Sequence, residues 1–195
     1  MSIACQKIAE DFLYNCDNRT VQGMEQKLIL INEADLSASG ITFDATYPNS
    51  LITAINLNTG TSGFEVQGIK QIMNFTNTLV AEEASEDGVT HSITGIRIYD
   101  PSEEIRNEIN KYIAGATVYA VIERKWKGTD NKHAFLFFGL KFGLTVSELT
   151  EDSAEGTIVM SLSTTGGQKE PYLPHVYRDT DYATSKAAFD NKFAA

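Results

Sequence analysis

Three histidines, two cysteines and several adjacent carboxylates are the residues of this chain whose types could do chemistry. Metal binding needs His, Cys or acidic ligands at short helical or strand spacings. His91, His133 and His175 lie at a strand start, in a turn and in the C-terminal tail, and none has a second His or Cys at i+2, i+3 or i+4. Cys5 and Cys16 match no zinc pattern and cannot build a disulfide framework, so both read as free thiols. Acid–base work by a carboxyl pair requires a pocket that drives the two pKa values apart. Glu103 and Glu104 are explained instead by the positive end of a helix, and Glu151 and Asp152 fall in a loop before a strand. The glycine-rich TGTSG (59–63) and TTGG (164–167) do not lead into predicted helices, so neither reads as a phosphate cradle. No GxSxG, P-loop, dinucleotide fingerprint or HExxH occurs. The expectation is a protein that is not an enzyme and uses neither cofactor nor metal.

The elements that position these residues are mainly strands. KLILIN (27–32) is an apolar run with polar flanks and predicts a buried strand. A Ser/Thr/Asn/Gly-rich passage from 32 to 63 reads as a long loop with a job outside the core, interrupted by the strand-like LITAINL (51–57). IKQIMNFTNTLVA (69–81) and THSITGIRIY (90–99) predict a long hairpin, with Ile69, Met73, Phe75 and Leu79 on one parity and a bulge at Gly95. Its tip carries Glu82, Glu83, Glu86 and Asp87 before the turn glycine Gly88.

DPSEEIRNEINKYIAG predicts one amphipathic helix over 101–114. Asp100 stands at the N-cap, Pro101 at N1 and Glu103 at N3, while Ile105, Ile109, Tyr112 and Ile113 form the apolar stripe and Gly115 the stop. TVYAVIERKW (117–126) and AFLFFGL (134–140) are apolar on both parities, which predicts strands covered inside the subunit on one face and by a neighbour on the other. In that reading Gly139 and Gly143 let the second strand bend. GTIVMSLS (156–163) alternates with Ile158, Met160 and Leu162 inward. The tail from 171 carries Tyr172, Tyr177, Tyr182, Phe189 and Phe193 without a core pattern and reads as an extended arm. The division expected is a single β-rich domain over 1–170 and a C-terminal arm over 171–195.

The formal net charge of −10 argues against a sequence-wide grip on nucleic acid, which needs clustered Lys and Arg. No stretch reaches the roughly 20 apolar residues a helix needs to cross a bilayer, so no membrane partner is expected. The first residues, MSIACQKIAEDFLYNCDN, lack the basic and apolar regions of a signal peptide, and the chain reads as a soluble intracellular product.

The order of elements in the last third is a helix, then TVYAVIERKWKGTDNKHAFLFFGLKFGLTVSE, then GTIVMSLSTTGGQKEPYLPHVY. With the Cys-containing CQKIAEDFLYNCDNRTVQGMEQKLILIN at the start, this order resembles the tail tube proteins of tailed bacteriophages, in particular the small tail structural proteins of phages of Bacteroides-like hosts. The resemblance implies a mainly β (α+β) fold, a tail-tube-type β-sandwich or half-barrel with one flanking α-helix, a long hairpin and an extended C-terminal arm. It implies a virion protein, assembled in the bacterial host cytoplasm, whose stacked, hexameric rings surround a channel that DNA traverses without specific binding. The implied partners are further copies of the chain and other phage tail proteins. Candidate contacts between subunits are Phe135, Phe137, Phe138 and Phe142, the acidic tip Glu82, Glu83, Glu86 and Asp87, and Tyr172, Pro174 and Tyr177 of the arm. A connector, terminator or neck ring protein is an alternative, and a carbohydrate- or peptide-binding β-sandwich module is another.

Overall fold

β-Branched and aromatic residues dominate the runs that form strands, and a computed structural model places them, among the described residues, in one mixed sheet of eleven strands with two α-helices. It describes residues 11–12, 19–69, 71–81, 87–166 and 168–195. In chain order the elements are β1 (Met24–Asn32), β2 (Leu36–Phe43), β3 (Leu51–Leu57), β4 (Phe64–Gln67), β5 (Asn74–Val80), β6 (Gly88–Ile98), α1 (Glu103–Ile113), β7 (Val118–Arg124), β8 (Phe135–Phe138), β9 (Leu144–Asp152), β10 (Thr157–Thr164), β11 (His175–Tyr177) and α2 (Tyr182–Asp190). The fold is mainly β in an α+β arrangement.

The sheet runs β2-β3-β11-β8-β7-β9-β10-β6-β5, and β1 branches from it by pairing with β7 and with β4. All pairings are antiparallel except β11 with β3. Two apolar cores result. Leu28 and Leu30 of β1, Val118, Ala120 and Ile122 of β7, and Leu136 and Phe138 of β8 face Met73, Ile93, Ile96, Leu144, Met160 and Leu162. The opposite parity of the same strands, Ile29, Ile31, Tyr119, Val121, Phe135 and Phe137, faces Ile52, Ile55, Leu57, Tyr177, Phe189 and Phe193. β1, β7 and β8 are therefore the middle layer of the molecule.

This corrects the expectation for the doubly apolar strands. Their second face is covered by β3, β11 and α2 of the same chain, and no neighbour is needed to bury it. The run 134–149 is also two strands. Gly139 (φ +79°) and Gly143 (φ +68°) frame a reversal in which the Gly143 N–H donates to the Gly139 carbonyl at 2.7 Å.

The C-terminal arm over 171–195 is likewise overturned. β11 sits between β3 and β8 in the sheet, and α2 lays Phe189 in the second core beside Phe193. Asp181 caps α2 by accepting the Thr184 N–H at 2.8 Å. Tyr182 and Phe189, at i and i+7, share one face of α2, and Phe193 folds back beyond its end onto the same core, so the tail does carry a core pattern. A single flanking helix becomes two.

Half of the passage 32–63 is strand rather than loop, because β2 and β3 form a hairpin. Met73 is buried and Phe75 half-buried as the hairpin parity requires, whereas Ile69 and Leu79 are exposed. The β5–β6 hairpin forms, and Gly95 lies at a bulge of β6 against β10: Met160 and Leu162 of β10 oppose Ile96 and Ile93, leaving one extra residue on β6. At Gly95 φ is +74°, and a Cβ would stand 2.4 Å from the Ile72 carbonyl oxygen, so only glycine fits. The inward set Ile158, Met160 and Leu162 is buried.

α1 begins two residues later than its sequence suggests. Asp100 accepts the Ser102 N–H at 3.1 Å in a local turn, which leaves Pro101 outside and Ser102 at the N-cap. Ile109 is buried, Ile113 is exposed, and Tyr112 packs on the first core. A groove of about 560 Å³ runs between α1, β4 and β6.

Candidate functional site

The residues expected to face a neighbour do not share a surface. Phe135, Phe137 and Tyr177 are core side chains of the second cluster, and Phe138 belongs to the first. Phe135 touches Tyr177, Tyr182 and Phe189 at ring-centroid distances of 6.2, 5.9 and 5.1 Å, so its whole environment lies within the subunit. Pro174 is buried as well. Their candidacy as intersubunit contacts is withdrawn, for the reason that corrected the fold: strands of a middle layer are apolar on both faces without any partner. Phe142 and Tyr172 are half-buried, and the Lys141 ammonium lies 4.9 Å from the Phe142 ring. Asp87 is exposed just ahead of β6, while Glu82, Glu83 and Glu86 lie outside the described residues.

Among the described residues, three strands have one neighbour only: β2 pairs with β3, β4 with β1, and β5 with β6. An open edge presents free backbone donors and acceptors, and proteins that stay monomeric blunt such edges with charge, proline or brevity. β4 is blunted on two of these counts. It is four residues long, and its Glu65 pairs with Lys27 at 3.1 Å. β2 (LSASGITF) and β5 (NFTNTLV) contain neither charge nor proline. β5 keeps unbroken register with β6 over all seven residues, and β2 is bent by two register shifts against β3. Phe43 at the end of β2 is 41% exposed and Leu79 near the end of β5 is 66% exposed, so each edge also offers apolar surface. These strands are the two ends of the sheet path.

Beside β2 lies a cleft of about 470 Å³ walled by Leu36, Ile41, Phe43, Tyr119, Leu140, Pro171 and Tyr172, with Glu170 and His175 at its base. Glu170 is almost fully buried, and its carboxylate accepts the backbone N–H groups of Lys141 and Phe142 at 3.0–3.1 Å. Burial pushes this carboxyl up, and those two N–H groups and the Lys141 charge only partly offset it. The Glu170 backbone forms an isolated antiparallel bridge with Val89 of β6. His91 of β6 is buried beneath the same segment. Its Nδ1 accepts the Gly139 N–H at 3.2 Å, so Nε2 carries the proton and donates to the Tyr172 carbonyl at 2.9 Å. Burial lowers its pKa.

His175 is buried between the edges of Phe43 and Tyr172, each ring 5.9 Å away, and its Nδ1 has no hydrogen-bond partner. Burial, with His91 adding to it, lowers its pKa to about 4. Tyr119 is pushed up to about 12 by burial and by Glu33. Sequence reading treated the histidines as isolated, yet the fold brings His91 and His175 together. Parity carried the signal: His91 alternates with Val89 and Ile93, and His175 with Tyr177, so both sit on inward faces.

A second polar cluster holds α2 to the middle layer. Burial pushes the Glu123 carboxyl up, but Lys127 at 2.5 Å, Lys186 at 2.9 Å and the Tyr182 hydroxyl at 2.8 Å more than offset this and leave it below the usual carboxylate range. Lys27 and Lys186 share Asp190 at 3.0 Å each. Among the described residues, no three His, Cys, Asp or Glu side chains converge as a metal site, and no helix is long and apolar enough to cross a membrane. No protein-family model, curated protein or solved structure matches the chain.

Proposed function

We propose that this chain is a structural subunit of the bacteriophage tail tube type, which assembles with copies of itself into rings around a channel for DNA. One observation carries the reading: among the described residues, the two end strands of the sheet, β2 and β5, are both open, long and free of charge and proline. Two different edges on one molecule favour a head-to-tail contact in which β5 of one copy meets β2 of the next. Such a contact repeats, and it closes into a ring when the rotation per subunit divides a full turn. Closure would bury both edges and so remove the aggregation hazard each presents. The formal charge of −10 supports the channel half of the reading, because an acidic wall repels the phosphate backbone and lets DNA slide. A tail connector, terminator or neck ring would use the same edges and differ in what it stacks on.

A ligand-binding β-sandwich module is the second reading. The cleft beside β2 favours it, since Phe43, Tyr119 and Tyr172 are gathered around one opening. Negative-stain microscopy with light scattering on the purified full chain separates the two. Rings or short tubes with a central pore support the tube reading. A strict monomer at millimolar concentration sinks it and leaves the cleft as the functional surface.

A further inference from the structure

We propose that the segment 168–174 is an acid-released strap, held across one end of the first core by Glu170 and by neutral His91 and His175, and let go when the histidines take up protons. It goes beyond the assembly reading and holds whether or not the edges pair. The strap is tied to β6 and to the β8–β9 turn. Backbone bonds at 2.8 and 2.9 Å tie Glu170 to Val89, the Glu170 carboxylate caps the β8–β9 turn, and the Tyr172 carbonyl accepts from His91.

Acid acts on the two buried rings beneath the strap, while the bond that His91 Nε2 donates to the Tyr172 carbonyl survives protonation. The lone pair at which His91 would accept a proton, on Nδ1, already receives the Gly139 N–H. Protonation sets two N–H groups against each other and breaks the contact between β6 and the β8–β9 turn. His175 has no acceptor at Nδ1 and lies between aromatic edges, so a second proton there creates a buried charge without a partner. A charge on either ring repels the other, and moving the strap out to water relieves both.

Among the described residues, the titratable groups that share the cleft with His175 are Glu170 and Tyr172 on the strap, Lys141 on the β8–β9 turn, and Tyr119 on β7. β2, β5 and β10 contribute none. Both histidines have folded pKa values below their ordinary one, so the stability they support is present above about pH 6.5 and declines as pH falls below it. Glu170 acts in the opposite sense on total stability, because its raised pKa means protonation relieves a buried charge. By the same linkage its protonation favours the closed strap, so opening in acid is driven by the histidines against Glu170. Release exposes the end of the first core and removes Pro171 and Tyr172 from the wall of the cleft along β2.

Amide hydrogen exchange on the full chain, corrected for the intrinsic pH effect, tests this. Between pH 7 and pH 5 the amides of Val89, Gly139, Lys141 and Phe142 should lose protection by about tenfold or more while those of β1 and β7 hold, as expected for local opening coupled to proton uptake. In His91→Gln/His175→Phe, whose amide can replace both His91 bonds and whose ring cannot charge, that loss should shrink to about twofold or less. Equal loosening of β1 and β7, or an unchanged pH response in the double variant, overturns the strap. Should the variant not fold, NMR titration of the wild-type histidine rings decides. An inflection near the ordinary value of about 6.5 for both rings, without change at the strap amides, refutes it.

Discussion

β7 with β8 and β2 with β5 form an instructive contrast. The first pair is apolar on every residue from Val118 to Ile122 and from Phe135 to Phe138, and is buried on both faces by its own chain. The second pair reads as ordinary Ser, Thr, Asn and Gly sequence, yet leaves its backbone edges open. Apolar content reports how many layers cover a strand. Availability for assembly is a property of the strand's place in the sheet, and a polar strand with no charge advertises it better than an aromatic one.

The contrast can be broken most severely at the C-terminus. Removing residues 175–195 takes away β11, the Asp181-capped helix and half the cover of the second core, so cooperative thermal unfolding followed by circular dichroism should be lost. A truncated chain that still melts cooperatively would restore the arm. Phe137→Ala, at a fully buried site, should cost about 3–5 kcal/mol in denaturant unfolding. A cost below about 1 kcal/mol would mean the middle layer is not packed as described.

Glu123→Gln keeps the shape of the α2 anchor but removes the charge that Lys127 and Lys186 share, and should cost about 1.5–3 kcal/mol at neutral pH. The Glu123 pKa is lowered in the folded protein, so its contribution is present above the unfolded value of 4.5 and is lost as pH falls through the folded one. The two proteins should therefore converge in stability in acid, and a gap that persists there would assign the loss to packing instead.

The smallest effect on stability should come from the edges. Ser39→Lys on β2 and Thr78→Lys on β5 alter exposed side chains and should change unfolding free energy by less than about 0.5 kcal/mol. Each should nevertheless stop ring growth in light scattering. Mixing the two should give a dimer and nothing larger, since only one compatible pair of edges remains. Rings that grow despite either lysine would place the subunit contact elsewhere.

Local signals were legible in residue order. LITAINL is β3 to the residue, Gly95 is the bulge, and the alternation Ile158, Met160, Leu162 points inward. Each depends on neighbours within a few positions, where period and glycine conformation decide the outcome. Tyr182 and Phe189 were just as legible as one helical face behind an Asp cap, whereas Phe193 reaches the same core from beyond the helix end, which periodicity does not show.

The candidate sites were not legible, because each is made by pairing over long separation. By itself, the sequence determined a β-rich acidic chain, the parity of most strands and the position of α1. Only the tertiary structure decided that the aromatic run AFLFF lies in a middle layer, that His91 and His175 meet across 84 positions of chain, and that β2 and β5 end the sheet. The physical reason is that burial of a side chain can be satisfied by any surface of the right polarity. Which surface supplies it depends on how the strands are ordered, and that order is set by all of them together.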